Sequence, residues 1–143
     1  MNKFSVLILI ILLTSCGKDD PIDRCNFLAN NAIVDASINL NLPQFSQLQF
    51  TGNTVFIANE GISGVYLSNV GNNNYRAFDA ADPAHIATSC SKLNNLNGIG
   101  TCGCSDANQY SLLTGQAVNS DVTCLLKEYR VESTGGNTLL ISN

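Results

Sequence analysis

Between residues 34 and 42 the chain alternates without a break. Val34, Ala36, Ile38, Leu40 and Leu42 are apolar, while Asp35, Ser37, Asn39 and Asn41 are polar. Side chains of an extended strand point to opposite faces in turn, so a strict period of two builds one apolar face and one wet face. A helix would scatter the same residues around its axis. The pattern predicts a half-buried β-strand ended by Pro43, and a half-buried strand requires a sheet with a second layer to cover it. Shorter strand candidates follow at 54–58, 64–70, 75–79, 109–113, 126–132 and 138–142. They are separated by turn residues at Asn59-Glu60-Gly61, Gly71-Asn72-Asn73-Asn74, Thr114-Gly115 and Thr134-Gly135-Gly136-Asn137. No stretch sustains a period of 3.6, and residues 23–31 hold at most a short helical turn. The expected class is all-β, a small antiparallel β sandwich or barrel made of hairpins. Eleven Gly and nineteen Asn, with one Met and no Trp, suit such a turn-rich fold.

The chain has 143 residues, 45% of them hydrophobic and 13% charged, which is enough apolar material for one core and argues against disorder. Its net charge is −4 and no basic cluster exists, so nucleic acid is not an expected partner. Residues 4–13, apolar except for Ser5, follow Lys3. As a helix that run would cover only about 15 Å, roughly half a bilayer core, so it reads as a signal sequence rather than a span. It ends in Leu13-Thr14-Ser15-Cys16, which resembles the lipobox of bacterial lipoproteins. The resemblance implies that residues 1–15 are a lipoprotein signal peptide and that Cys16 is lipidated. Several acyl chains anchor a protein firmly. Polar residues with Pro21 follow, so 16–25 is expected to be a tether and 26–143 the β domain. Asp19 and Asp20 beside the lipidated Cys resemble outer-membrane or surface-export signals. The expected location is the bacterial cell envelope, with the chain lipid-anchored in the outer membrane on its periplasmic face or at the cell surface.

A long irregular stretch, 79–109, interrupts the strands and holds His85, Cys90, Cys102 and Cys104. Loops of that length inside a compact domain are usually functional or stapled. Besides Cys16, five cysteines remain: Cys25, Cys90, Cys102, Cys104 and Cys124. In an oxidising compartment disulfides are their default fate, and an odd number leaves at least one thiol. A bridge from Cys90 to either Cys102 or Cys104 would close a loop of about a dozen residues, worth roughly 3 kcal/mol. The competing use is a metal site from His85, Cys90, Cys102 and Cys104, a Cys₃His set for zinc or an unusual iron–sulfur ligation, although it lacks the CxxC knuckle of structural zinc sites.

The order of features from Gly64 onward resembles the Rieske iron–sulfur domain. Gly64-Val65-Tyr66-Leu67 and Tyr75-Arg76-Ala77-Phe78-Asp79 are similar to the strand pair leading into the first cluster loop, and Cys102-Gly103-Cys104-Ser105 is similar to the second loop. Tyr110-Ser111-Leu112-Leu113-Thr114-Gly115 is similar to the hairpin after it, and Leu126-Lys127-Glu128-Tyr129-Arg130-Val131 with Leu139-Leu140-Ile141 to the closing strands. The resemblance implies a small antiparallel β sandwich with long disulfide-tied loops. It also implies a bridge between Cys90 and Cys104, leaving Cys102 as a former ligand that is either a buried thiol or the partner of Cys25 or Cys124.

The cluster of that family is held by two Cys on one iron and two His on the other. Here Asp82 stands where the first Cys belongs, the first His falls on Ala84 or, one residue displaced, on His85, and Ser105 stands at the second His. His85 is the sole histidine of the chain, so both imidazoles cannot be supplied. The expectation is a degenerate Rieske-like protein without a cofactor, acting as a non-enzymatic binding or structural module on an envelope protein or ligand. The alternative is an electron-transfer protein with an unorthodox [2Fe–2S] or zinc site in the 82–104 loops. Ser105 and Asp106 near His85 lack a Gly-x-Ser-x-Gly elbow, so no catalytic residues are assigned. Asp79 is expected to cap backbone N–H groups, and the tyrosines at 66, 75, 110 and 129 to pack within strands.

Overall fold

The computed structural model describes Cys25, Phe27, Leu28, residues 32–119 and residues 123–143. Cys16, the expected signal peptide, the expected tether up to residue 24 and most of 23–31 lie outside the described residues. Among the described residues, no helix is long and apolar enough to cross a membrane. The strands are β1 (Asp35–Asn39), β2 (Thr54–Ile57), β3 (Val65–Gly71), β4 (Asn74–Asp79), β5 (Leu93–Leu96), β6 (Ile99–Cys102), β7 (Gln109–Ser111), β8 (Glu128–Gly135) and β9 (Thr138–Ser142). All of their pairings are antiparallel. Six strands form one sheet in the order β1-β9-β8-β4-β3-β2, and β5-β6-β7 form a second. The chain is all-β, as its alternation predicts.

β1 buries Ala36 and Ile38 and exposes Asp35, Ser37 and Asn39, so the period-two face is the one turned to the core. It stops at Asn39. Pro43 then begins a 3-10 helix, Pro43–Gln49, which sequence periodicity did not announce. In a 3-10 helix residues i and i+3 eclipse, and here Phe45 and Leu48 both enter the core from one side. Val34, Ala36, Ile38, Leu48, Val65, Leu67, Ala77, Leu139 and Ile141 belong to that first cluster.

β3 and β4 are buried on both faces. Val65, Leu67 and Ala77 face the first cluster, whereas Tyr66 and Phe78 join Leu93, Tyr110, Leu112 and Leu126 in a second one beneath the smaller sheet. Each fully buried aliphatic or aromatic side chain contributes about 1.5–3 kcal/mol. The two sheets are also tied by polar atoms. The Tyr66 hydroxyl donates to the Leu93 carbonyl at 2.8 Å, and the Ser68 hydroxyl to the Leu112 carbonyl at 2.7 Å.

Part of the stretch expected to be irregular is a hairpin. Leu96 pairs with Ile99 across Asn97-Gly98, both at positive φ (53° and 81°), as a tight two-residue turn between twisted strands requires. Two disulfides, Cys25–Cys124 and Cys90–Cys104, tie the loops.

Asp79 ends β4 with no exposed surface. Its carboxylate accepts from the backbone N–H groups of Ile62 (2.7 Å), Ser63 (3.3 Å) and Ala81 (2.8 Å), and from the Tyr129 hydroxyl at 2.7 Å. It therefore has the capping role expected of it, and it holds the 61–63 turn against β8. Tyr129→Phe removes one donor from a buried charge and should lower the unfolding free energy by about 1.5–3 kcal/mol. Urea denaturation of the variant checks this, and a loss near zero would remove Asp79 as an organising group.

Candidate functional site

Two loops meet over the second cluster. One runs from Asp79 to β5 and the other joins β6 to β7. The first is closed on itself by a bond from Asp82 N–H to the Ser91 carbonyl (2.8 Å) and pinned to β5 by one from Leu93 N–H to the Ala80 carbonyl (2.7 Å). The second crosses it closely. Gly103 N–H donates to the Cys90 carbonyl at 2.9 Å, and a Cβ at Gly103 would lie only 2.9 Å from that same oxygen. A side chain there would drive the loops apart. Cys90 and Cys104 bridge the two loops covalently, with Cα atoms 4.9 Å apart.

Inside the crossing sits Asp82, fully buried. Its Oδ1 accepts from the Tyr110 hydroxyl (2.6 Å) and Ala84 N–H (2.9 Å), and its Oδ2 from Asn108 Nδ2 (2.9 Å). Asn108 Nδ2 also donates to Asp106 Oδ2 at 2.9 Å, so one amide holds both carboxylates. His85 Nε2 lies 2.6 Å from Asp106 Oδ2 and 3.6 Å from Asp82 Oδ2. Cys102 is buried and carries a free thiol. Its sulfur accepts from Cys104 N–H at 3.4 Å and reaches the Cys90 carbonyl only at 3.7 Å.

The electrostatics follow from burial. Desolvation raises the Cys102 thiol from 9.0 to about 11; the bond from the Cys104 N–H opposes this in part, and the neighbouring Asp82 and Asp106 carboxylates add to the rise. Burial likewise raises Tyr110, with Asp82 as the acceptor that needs its proton, and raises Tyr129, with Asp79 in the same role. The thiol is thus held as S–H and is not an activated nucleophile.

Of the set His85, Cys90, Cys102 and Cys104, Cys90 and Cys104 spend their sulfurs on each other. They cannot act as thiolate ligands while bridged, although the Cys104 sulfur stays within 4.8 Å of the donor atoms of His85 and Cys102. The structure instead brings together Asp82, His85, Cys102 and Asp106, whose donor atoms all lie within 4.8 Å of one another. Asp106 and Asn108 carry no local motif that would single them out from sequence. A Rieske-type [2Fe–2S] cluster does not fit this donor set. It needs two imidazoles and two thiolates, and the loops offer one imidazole, one thiol and two carboxylates. Ser105 is exposed.

No protein-family model matches the chain, and no curated protein matches it. Among solved structures it is similar to a chain of the complex of reduced oxygenase and oxidized ferredoxin in carbazole 1,9a-dioxygenase, at 18% identity and TM-score 0.45, covering 78% of this chain and 90% of that one. It is similar also to the ferredoxin of carbazole 1,9a-dioxygenase from Nocardioides aromaticivorans IC177, at 12% identity and TM-score 0.46, covering 76% and 97%. A third is a protein described as a nitrite reductase NADPH small-subunit oxidoreductase, at 25% identity and TM-score 0.38, covering 76% and 99%.

Two predictions follow from this geometry. Replacing Cys90 and Cys104 together by Ala opens a loop of sequence separation 14 and should cost about 3 kcal/mol of stability in chemical denaturation; an unchanged midpoint would contradict the staple. Cys102, Tyr110 and Tyr129 have folded values above their unfolded ones, so the stability they contribute is complete below the unfolded values and is lost as pH climbs through the folded ones. Thermal unfolding followed against pH should show a decline beginning above about 9, the ordinary thiol value. A curve flat to about 11 would contradict the burial of the thiol.

Proposed function

We propose that this chain is a lipid-anchored protein of the bacterial envelope with a Rieske-like fold that has lost its iron–sulfur cluster, acting as a non-enzymatic binding or structural module. The observation that carries the loss is the donor set at the loop crossing. A single imidazole and a single thiol cannot hold two irons in the two-His, two-Cys manner. The Cys90–Cys104 bridge and the Asp82–Tyr110–Asn108 network fix the same loops by other means. A thiol that burial holds as S–H supports a non-catalytic role. The Rieske-like reading rests on the sequence order from Gly64 onward.

The anchor is inferred from Leu13-Thr14-Ser15-Cys16, with residues 1–15 as signal peptide, 16–25 as lipidated Cys16 and tether, and 26–143 as the domain. The outer membrane, on its periplasmic face or at the cell surface, is the location this reading favours. The membrane is then a partner through lipid, and an envelope protein or ligand is the partner of the loops.

The test is the purified full-length chain in detergent. It should be colourless, contain no acid-labile sulfide, and show no EPR signal on reduction; visible bands with stoichiometric iron and sulfide would reject the proposal in favour of electron transfer. Growth with labelled palmitate should label the chain, and Cys16→Ser should abolish that labelling. Label retained in the variant would place the anchor elsewhere.

A further inference from the structure

The loop crossing carries a charge imbalance that its hydrogen bonds do not remove. Asp82 is wholly buried and Asp106 lies beside it, bridged by the same Asn108 amide. Among the described residues the one cationic group within ion-pair distance of either is His85. An imidazole can carry at most one positive charge against two carboxylates. The remaining Lys and Arg contacts are spent elsewhere: Arg76 pairs with Glu128 and Arg130 with Glu132, while Lys92 lies over Phe56 and Lys127 over Tyr129. Asp106 keeps contact with water, so the costly charge is that of Asp82, and metal coordination is one of the ways proteins meet such a cost. A second observation is Cys102, a buried residue with 3% exposure that carries a free thiol. It faces the same cluster, and its S–H is shared between the Cys90 carbonyl at 3.7 Å and the Asp82 carboxylate, one of the proposed ligands.

We infer that this crossing binds one divalent transition-metal ion of the zinc type, through His85 Nε2, Cys102 Sγ and carboxylate oxygens of Asp82 and Asp106. The ligand types are those such ions take, with bonds of about 2.0–2.3 Å. A tetrahedral site of that size has donors about 3.3–3.8 Å apart. The four donor atoms already lie within 4.8 Å of one another, and His85 Nε2 is 3.6 Å from Asp82 Oδ2, so closing the site requires shifts on the order of 1 Å in side chains of two loops. The His85–Asp106 hydrogen bond opens on binding and both atoms turn to the ion. The Cys102 S–H bond breaks heterolytically, the sulfur keeping the electron pair and the proton leaving to solvent. No electron changes hands. Asn108 and Tyr110 act as positioning residues that hold the carboxylates from behind, as outer partners do in metal sites.

This inference rests on the reading that no iron–sulfur cluster occupies the loops, and it names a metal ion as the ligand of the module. The experiment is titration of the full-length chain in detergent, stripped of metal, first with Co²⁺ and then with competing Zn²⁺. One equivalent of Co²⁺ should bind with a sulfur-to-cobalt charge-transfer band and with proton release that falls as pH rises, and Zn²⁺ should displace it. Cys102→Ser should lose that band. Asp106→Asn, at a half-exposed site where folding is not at stake, should weaken binding at least about tenfold, and Asn108→Ala should weaken it about 10- to 100-fold.

Absence of saturable binding, or binding unchanged in both Asp106→Asn and His85→Gln, would overturn the metal site while leaving the loss of the cluster standing. Iron with equimolar acid-labile sulfide in the untreated chain would overturn both.

Discussion

A carboxylate withdrawn from water has to be met by donors, and two such groups three residues apart organise this protein. Asp79 and Asp82 lie on the few residues that leave β4, both with no exposed surface. Asp79 gathers the 61–63 turn and β8, whereas Asp82 gathers β7 and the loop leading to it through Tyr110 and Asn108. Between them, Ala80 N–H donates to the Gly64 carbonyl, and the Leu93 N–H returns to the Ala80 carbonyl. One short segment thus fixes the smaller sheet against the larger. The apolar clusters on either side of β3 and β4 can then pack because the polar atoms crossing between them are all paired.

How far this was legible in the sequence depended on what each element buries. β1 alternates cleanly because one face meets the core and the other meets water, and β3 and β4 were visible as apolar runs between Asn- and Gly-rich turns. The β5–β6 hairpin is hidden in the sequence because β5 buries Leu93 and leaves Leu96 exposed, so it has no alternation to find. Its turn, Asn97-Gly98, was the available signal, since that pair accepts positive φ at little cost. The 3-10 helix escaped because two buried residues, Phe45 and Leu48, make too short a stripe to distinguish from a loop.

The site divided along the same line. Cys90 and Cys104 were marked by the family pattern and form a bridge, and His85 stood out as the lone imidazole. Asp106 and Asn108 matter only through the loop crossing that brings them to Asp82, and no spacing in the chain encodes that meeting. Asp82 stands where the pattern that the sequence resembles has a cysteine. It adds two hard oxygens that hydrogen bonds can hold in place. The Tyr110 hydroxyl and the Asn108 amide satisfy them.

The Cys25–Cys124 bridge spans 99 residues of sequence and closes just before β8. β1 is an edge strand, held along one side by β9. Tension applied to the chain upstream of Cys25 would, without the bridge, pull on β1 and unzip the sheet from its border, one hydrogen bond after another. With the bridge in place the load passes through sulfur to Cys124 and enters the domain beside Leu126, which is packed in the second cluster. Mechanical strain is therefore delivered to the interior of the fold, where many contacts must yield together.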